Sequence, residues 1–562
     1  MARRILIIGG VAGGATAAAR ARRLDEEAEI TVLERGPYVS YANCGLPYFI
    51  ARDIQKRSQL LLQTPEGFDA RYGVKVKVKT EALELDRAGK RVRVKGPPAG
   101  AAATQREEWL QYDKLILAQG GNPVKPPLPG VDAPHVFQLW TVPDTDRIHG
   151  FLDTEKPRTA VVVGGGFIGL EMAEALRRRG LEVTVVELLP TVMAVMDAEL
   201  GHRVQGELEA NGVKVVTGVG VKAVHPEEKT LELADGRRLP AEVVLLSVGV
   251  RPELALARAA GLEIGPTGAL LVNDRLETSD PDVLAAGDMV EVLHKISGKR
   301  ARIPLAGPAN RQGRIAATNA LGGDLRYHGA LGTSVVKVFE ATAGMTGLSE
   351  RAAREAGLDV GVAVIHKDHH AGYYPGAQEL LLKVVYDRKT AKLLGGQAFG
   401  HAGADKRIDV LATALQGGMT LHDLEELDLA YAPPYSSAND PVNLVAMVGL
   451  NDVKGHAPLM TAGQLRAALD GANPPLVLDV RNGTEYERGH VAGARNVPVD
   501  ELRFELESLP RDRKIAVVCK SGFRAHLALR ILKGKGFADV VNVTGGMTSV
   551  LAEGVHTIQT GD

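Results

Sequence analysis

Two cysteines, one complete glycine fingerprint and one near-copy of it carry the chemistry available to this sequence. Cys44 stands in Ser40-Tyr41-Ala42-Asn43-Cys44-Gly45-Leu46-Pro47-Tyr48, and no other cysteine precedes Cys519. A thiol without a local partner must cycle as a mixed disulfide with a small thiol, as a persulfide or as a sulfenic acid. Its polar Ser/Asn setting argues against a merely structural thiol. Cys519 follows the apolar run Ile515–Val518 and opens Cys519-Lys520-Ser521-Gly522-Phe523-Arg524. Such a loop, set between a buried strand and a helix, lines up successive backbone N–H groups. Lys520, Arg524 and the helix N-terminus add positive potential, and each feature stabilises a thiolate or a Cys-persulfide.

The complete fingerprint is Gly164-x-Gly166-x-x-Gly169, which follows the strand-like run Val161–Val163 and opens a helix with Phe167 and Ile168. Its glycines serve the turn, the approach of a pyrophosphate to the backbone, and close helix–strand packing. Glu187 lies eighteen residues past Gly169, placed to accept from a ribose hydroxyl. A carboxylate there repels the extra phosphate of NADPH, and Leu188-Leu189-Pro190 supplies no cation, so NADH is the favoured donor. The near-copy, Gly9-x-Val11-x-x-Gly14, has Val11 where the middle glycine is expected. Gly10 and Gly13 flank Val11, Ala12 leads into an Ala-rich helix, and Glu34 lies twenty residues beyond Gly14.

These sites need elements to hold them. Ile5–Gly9 to Glu34, and Val161–Gly164 to Glu187, are the same βαβ unit occurring twice. Thr80–Lys95 alternates as antiparallel strands do, and a second such pair is predicted over Val213–Leu233, before an Asp235-Gly236 turn. At 562 residues the chain is too long for one core, and about 150 residues per domain predicts three to four. Lys and Arg number 67 against 68 Asp and Glu, without a basic tail, so a nucleic-acid partner is not expected. Two cysteines exclude a disulfide framework and point to a reducing, cytoplasmic compartment. The basic, apolar start imitates a secretory signal, but glycines 9, 10, 13 and 14 and the acidic strand end at Glu34 fit strand, turn and helix. No apolar run reaches about 18 residues, so no membrane span is predicted.

The paired fingerprints, with Tyr112–Gly120 and with Thr278-Ser279-x-Pro281-x-Val283-Leu284-Ala285-Ala286-Gly287-Asp288, resemble the flavin disulfide reductases over residues 1 to about 450. The resemblance implies that Asp288 reaches the ribityl chain of FAD. It also completes the cofactor-binding set with Arg35, Ala118, Gly249, Gly287 and Ala306. The Cys44 segment is similar to the Ser-Phe-x-x-Cys signature of coenzyme A disulfide reductases, with Tyr41 in place of Phe. Coenzyme A carries three phosphates, and Thr16, Arg20 and Arg23 share one helix face. The resemblance adds Arg71, Ser40 and Asn43 to the substrate set. His370–Gly376 and Tyr431–Tyr435 resemble that family's dimerisation domain, which implies a homodimer with Tyr373 and Tyr431 lining the partner's thiol site. Residues 458 to 562, with Asp479-Val480-Arg481, Gly489–Ala494 and the Cys519 loop, resemble a single-domain rhodanese. Relatives that dephosphorylate have one more residue between Cys and Arg, and the shorter loop here suits sulfur.

The expected fold is therefore α/β. Two Rossmann-like domains occupy 1–150 with 276–325 (FAD) and 151–275 (NAD(P)H). An α+β dimerisation domain follows at 326–452 and a rhodanese-like α/β domain at 458–562. The expected activity is FAD-dependent reduction of CoA disulfide, CoA persulfide or polysulfide by NADH. An NADH oxidase using a Cys44 sulfenic acid, and a redox-sensing sulfur carrier, are the alternatives.

Overall fold

The computed structural model describes residues 2–97 and 106–558. The chain forms two compact units, Met1–Leu188 with Gly212–Gly332, and Leu189–Asn211 with Thr333–Asp562.

The first unit holds two parallel five-stranded sheets. One runs in the order Val283–Ala285, Lys114–Leu117, Arg4–Ile8, Glu29–Leu33, Lys75–Lys77. Its central strand is buried along Ile5–Ile8, the continuous apolar run that a sheet covered on both faces requires. The other sheet runs Lys214–Val216, Glu182–Val186, Thr159–Val163, Val243–Leu246, Val136–Phe137. Both antiparallel predictions gain a third strand. Glu81–Asp86 and Arg91–Gly96 are joined by Arg106–Gln111. The other meander is Val221–His225, Thr230–Leu233 and Arg238–Pro240. Lys214–Val216, read from the sequence as antiparallel, instead extends the parallel sheet beside Glu182–Val186.

The second unit holds an antiparallel sheet and a parallel one. The antiparallel sheet runs Ser334–Val338, Ala341–Gly347, Leu393–Gly400, Glu379–Asp387, Val360–Asp368. The parallel sheet runs Leu459–Met460, Val540–Val543, Ile515–Val518, Leu476–Asp479, Arg495–Asn496. Helix Ala198–Ala210, inside the span read from sequence as NAD(P)H-binding, belongs to this unit. A buried charge cluster holds it there. Lys383 Nζ lies 3.1 Å from Asp197, 2.7 Å from Glu199 and 3.2 Å from Glu350. Burial alone would lower the lysine's pKa, but the three carboxylates carry it well above the ordinary value. Among the described residues, no helix is long and apolar enough to cross a membrane.

Candidate functional site

The first glycine loop is shaped by contacts that only glycine allows. Gly9 has φ +102°, and a Cβ on it would sit 2.2 Å from the Ala118 carbonyl oxygen. A Cβ on Gly14 would fall 1.8 Å from the Gly9 carbonyl oxygen. Val11, with a negative φ of −99°, caps helix Ala12–Leu24 without a side-chain bond. Glu34 accepts from Gly10 N–H at 2.9 Å and from Gly36 N–H at 2.7 Å, so its carboxylate is fixed at the strand end. Helix Ala306–Ala320 packs on the first helix closely enough that a Cβ on Gly313 would lie 2.2 Å from the Gly13 carbonyl. From that helix Gln312 accepts the Gly287 N–H at 2.7 Å, fixing the turn that presents Asp288. Burial pushes the Asp288 carboxyl up. Arg35 is instead engaged at the surface, 2.6 Å from Asn122 Oδ1 and 3.4 Å from Glu253. A dinucleotide fits this cradle. Gln119 Oε1, just past the strand Lys114–Leu117 and beside Ala118, is buried without a hydrogen-bond partner among the described residues.

The same loop positions the thiol. Ser40 N–H donates to the Gly10 carbonyl at 2.8 Å, and Ser40 takes a left-handed φ of +45°. The chain then turns through Asn43–Gly45 into helix Leu46–Ile50. Cys44 is exposed and free, and Asn43 Oδ1 accepts from its N–H at 3.1 Å. Desolvation by the surrounding walls, followed by the carboxylates of Glu171 and Asp288, raises the thiol's pKa. Two residues that sequence reasoning missed stand beside it. Tyr48, one helical turn after Cys44, donates to Glu171 Oε1 at 3.1 Å. Burial raises the Glu171 carboxyl to about 7, so it can hold or release a proton near neutral pH. The available signal was a carboxylate two residues past Gly169 on an otherwise apolar helix start.

The structure divides the Arg20–Arg23 run. Arg22 is buried and satisfies the carbonyls of Tyr72 at 2.7 Å, Ala28 at 2.8 Å and Gly73 at 3.0 Å. It thereby ties the end of helix Pro65–Tyr72, which carries exposed Arg71, to the end of the first helix. Arg20 is half-buried and Arg23 exposed. Arg20 bonds Thr318 Oγ1 at 3.1 Å, and desolvation, then Arg314 and Arg23, lower its pKa. Thr16 donates to Asn310 Oδ1 at 3.0 Å. Uncompensated like charges beside a hydroxyl suit a phosphate-bearing ligand.

In the second loop the three glycines do three different things. Gly164 takes φ +106°, and a Cβ there would meet the Ser247 carbonyl at 2.4 Å. Gly166 faces open space, and a Cβ on Gly169 would lie 2.0 Å from the Gly164 carbonyl. Phe167 and Ile168 begin helix Phe167–Arg178, and Gly249, at φ +102°, follows the adjacent strand Val243–Leu246. Glu187 accepts from Gly165 N–H at 2.7 Å, with exposed Leu188 and Leu189 beyond it. Glu187→Ala is expected to weaken NADH use roughly ten- to hundredfold, because a hydrogen bond to a charged group contributes about 1.5–3 kcal/mol. NADPH use should fall less, since the repulsion of its phosphate goes too. An unchanged NADH/NADPH ratio of kcat/KM would remove Glu187 from the ribose site.

In the second unit Tyr373 and Tyr431 come together, Oη to Oη 3.2 Å, and stay 78% and 48% exposed. A buried pair that the sequence reading missed brings their loops together. Arg407 donates to Asp440 at 2.7 Å and to the His369 carbonyl at 2.8 Å, while Ser436 donates to Asp440 at 2.6 Å. Cys519 is 1% exposed at the end of strand Ile515–Val518, and Gly522 N–H donates to its Sγ at 3.1 Å. That is the one hydrogen bond to this sulfur among the described residues. Arg524, expected to lend its charge to the loop, is forked onto Glu485 at 2.6 and 2.7 Å.

Two parallel glycine-loop sheets, with a lone thiol beside the first and a titratable carboxyl from the second next to it, define a nucleotide-dependent thiol oxidoreductase. The chain belongs to the pyridine nucleotide-disulphide oxidoreductase family, which matches residues 3–313. The family's dimerisation domain matches 333–441, and a rhodanese-like domain matches 461–553. The chain is 35% identical over 449 residues to an NAD(P)H coenzyme A polysulfide/persulfide reductase of Pyrococcus horikoshii, covering 80% of this chain and 98% of that one. It is similar to the crystal structure of reduced Bacillus anthracis CoADR-RHD, with TM-score 0.94, 41% identity and 98% of each chain covered. It is also similar to a NAD-dependent persulfide reductase from A. fulgidus, with TM-score 0.88 and 38% identity over 97% of this chain and 99% of that one.

Proposed function

We propose that the chain is an FAD-dependent, NADH-preferring reductase of CoA disulfide, CoA persulfide or polysulfide, acting as a cytoplasmic homodimer, with a rhodanese domain that handles sulfane sulfur. The observation that carries this reading is Cys44, a lone exposed thiol flanked by one glycine loop, Asp288 and Glu171. Gly9, Gly10, Val11, Ala12, Gly14, Glu34, Ala118, Gly287, Asp288 and Ala306 hold FAD, which when bound passes two electrons from NADH to Cys44. Gly164, Gly166, Gly169 and Glu187 hold the NADH. Thr16, Arg20, Arg23 and Arg71 take the phosphates of CoA, while Ser40 and Asn43 orient its sulfur end.

The Cys44 thiolate attacks the substrate S–S bond. One sulfur leaves and takes a proton, and the other stays joined to Cys44 until two electrons cleave that bond. Glu171, poised near neutrality and bonded to Tyr48, can supply the proton, and the Tyr373–Tyr431 pair of the other subunit can donate to the departing sulfur. For CoA persulfide the balance is NADH plus one proton giving NAD⁺, CoA thiol and hydrogen sulfide.

Steady-state kinetics with NADH against CoA disulfide, CoA persulfide, polysulfide and oxygen test the reading. At least one sulfur substrate is expected to exceed oxygen by a factor of about 100 or more in kcat/KM, a margin of about 2.7 kcal/mol. Oxygen consumption as fast as any sulfur turnover would replace this reading with an NADH oxidase.

A further inference from the structure

The antiparallel sheet of the second unit ends on an edge strand, Val360–Asp368, whose outward N–H and C=O groups need partners. At Val364 one hydroxyl serves both. Thr544 Oγ1 accepts from the Val364 N–H at 2.8 Å and donates to its carbonyl at 3.1 Å. Two residues on, and so on the same face, the His366 side chain is 1% exposed and its Nε2 lies 3.3 Å from Ser549 Oγ. Its Nδ1 is 3.5 Å from Glu379 Oε1, and Arg203 of helix Ala198–Ala210 donates to the same carboxylate at 3.2 Å. The His366 hydrogen bond, with the charges of His366, Arg203 and Lys520, brings the Glu379 carboxyl down to about 2. Ser549, His366 and Glu379 stand in the order of a hydrolytic triad, with Ser549 1% exposed.

Thr544 and Ser549 flank a turn, Gly545–Gly546, with φ +76° and +57°. A Cβ on Gly545 would fall 2.0 Å from Ser549 Oγ and 3.1 Å from a Val364 methyl, and one on Gly546 would fall 2.4 Å from the Cys519 carbonyl oxygen. Beyond the turn the backbone donates into the sulfur loop. Met547 N–H reaches the Cys519 carbonyl at 2.8 Å, and Thr548 N–H and Oγ1 reach the Lys520 carbonyl at 3.2 and 3.0 Å. These bonds fix the two peptide units that follow the sulfur, and with them the direction from which Gly522 N–H meets Sγ. A continuous chain of contacts therefore runs from the edge of the dimerisation domain to Cys519.

We infer that His366 is a positioning residue for sulfur transfer: through Ser549 and the Gly545–Gly546 turn it holds the Cys519 loop in the shape that stabilises a charged sulfur. The dimerisation domain is thus a working part of the rhodanese site. This role rests on reading Cys519 as a sulfur carrier.

The test uses the FAD-loaded full chain as wild type, His366→Ala, Ser549→Ala, the double variant and His366→Gln. Three quantities are followed: iodoacetamide alkylation of Cys519 against pH, read by peptide mass spectrometry; sulfur transfer from thiosulfate to cyanide; and NADH-dependent disulfide reduction. Each single alanine variant is expected to raise the half-maximal pH of Cys519 alkylation by roughly half to one unit, the worth of one ordinary intramolecular hydrogen bond. Transfer should slow about three- to tenfold, the same effect expressed as a rate. The double variant should do no more than either single one. His366→Gln, whose amide can reach Ser549, should restore most of the loss, and disulfide reduction should stay within about twofold in all of them. Ser549→Ala removes only a hydroxyl and carries the test if His366→Ala fails to fold. An unmoved Cys519 profile in the single variants, or disulfide reduction falling in step with transfer, overturns the positioning role. A wild-type protein that transfers no sulfur overturns the carrier reading instead, a result independent of the alkylation profile.

Discussion

Cys44→Ser is expected to stop NADH-dependent S–S cleavage, by on the order of 10³-fold or more, and to leave FAD bound. A hydroxyl neither attacks a disulfide nor accepts two electrons as sulfur does, so no residual route through this position remains. The proposed flavin cradle, Gly9, Gly14, Glu34 and the Asp288 turn, is held by its own hydrogen bonds and makes none to the Cys44 side chain among the described residues. Flavin absorbance after gel filtration measures retention, and NADH consumption with CoA persulfide measures turnover. Near-normal turnover in this variant would sink the assignment. The pH dependence adds a sign. Desolvation raises the Cys44 thiol first, and the negative charges of Glu171 and Asp288 raise it further. Above about 7 the Glu171 carboxylate is ionised and opposes a thiolate beside it. Glu171→Gln removes that charge, so alkylation of Cys44 should move to lower pH.

The glycine loops were legible because each glycine encodes a local demand, either a left-handed φ or an approach that a Cβ blocks, and neighbouring residues alone create it. The Cys519 loop was legible for the same reason, since strand, loop and helix are contiguous. What the sequence concealed is tertiary. Asp197 and Glu199 are buried against Lys383, nearly two hundred positions away in the chain, and no local pattern marks that pairing. Arg22 looks like its neighbours Arg20 and Arg23, and only the carbonyls of a distant helix end single it out. Tyr48 and Glu171 lie in helices more than a hundred positions apart, and Arg407 and Asp440 at separate helices, so no periodicity could pair them. That Arg524 beside Cys519 would also pair with Glu485 was not legible, because Glu485 lies in another helix of the same domain.

The two thiols are expected to divide the work, and Cys519→Ser separates their shares. Cys519 closes a buried strand, receives a hydrogen bond from Gly522 N–H and sits in a loop whose carbonyls are tied back by Met547 and Thr548. That rigid setting, with one N–H on the sulfur, suits a sulfur that must hold a second sulfur and release it to a nucleophile. Cys44 has the opposite character: exposed, raised by its surroundings, and dependent on electrons arriving from outside. Loss of the Cys519 sulfur should therefore abolish thiosulfate-to-cyanide transfer, on the order of 10³-fold or more, because the covalent intermediate has nowhere to form. Reduction of a small persulfide supplied in solution needs only Cys44, FAD and NADH, and should persist within about twofold, as expected for independent sites. The thiols belong to separate compact units, and the long flexible pantetheine arm of CoA is suited to carry a persulfide from one to the other. Both activities are measured on the same Cys519→Ser preparation. If reduction of CoA persulfide given in solution stops together with sulfur transfer, Cys519 belongs to the reductive cycle itself and the division of labour is wrong.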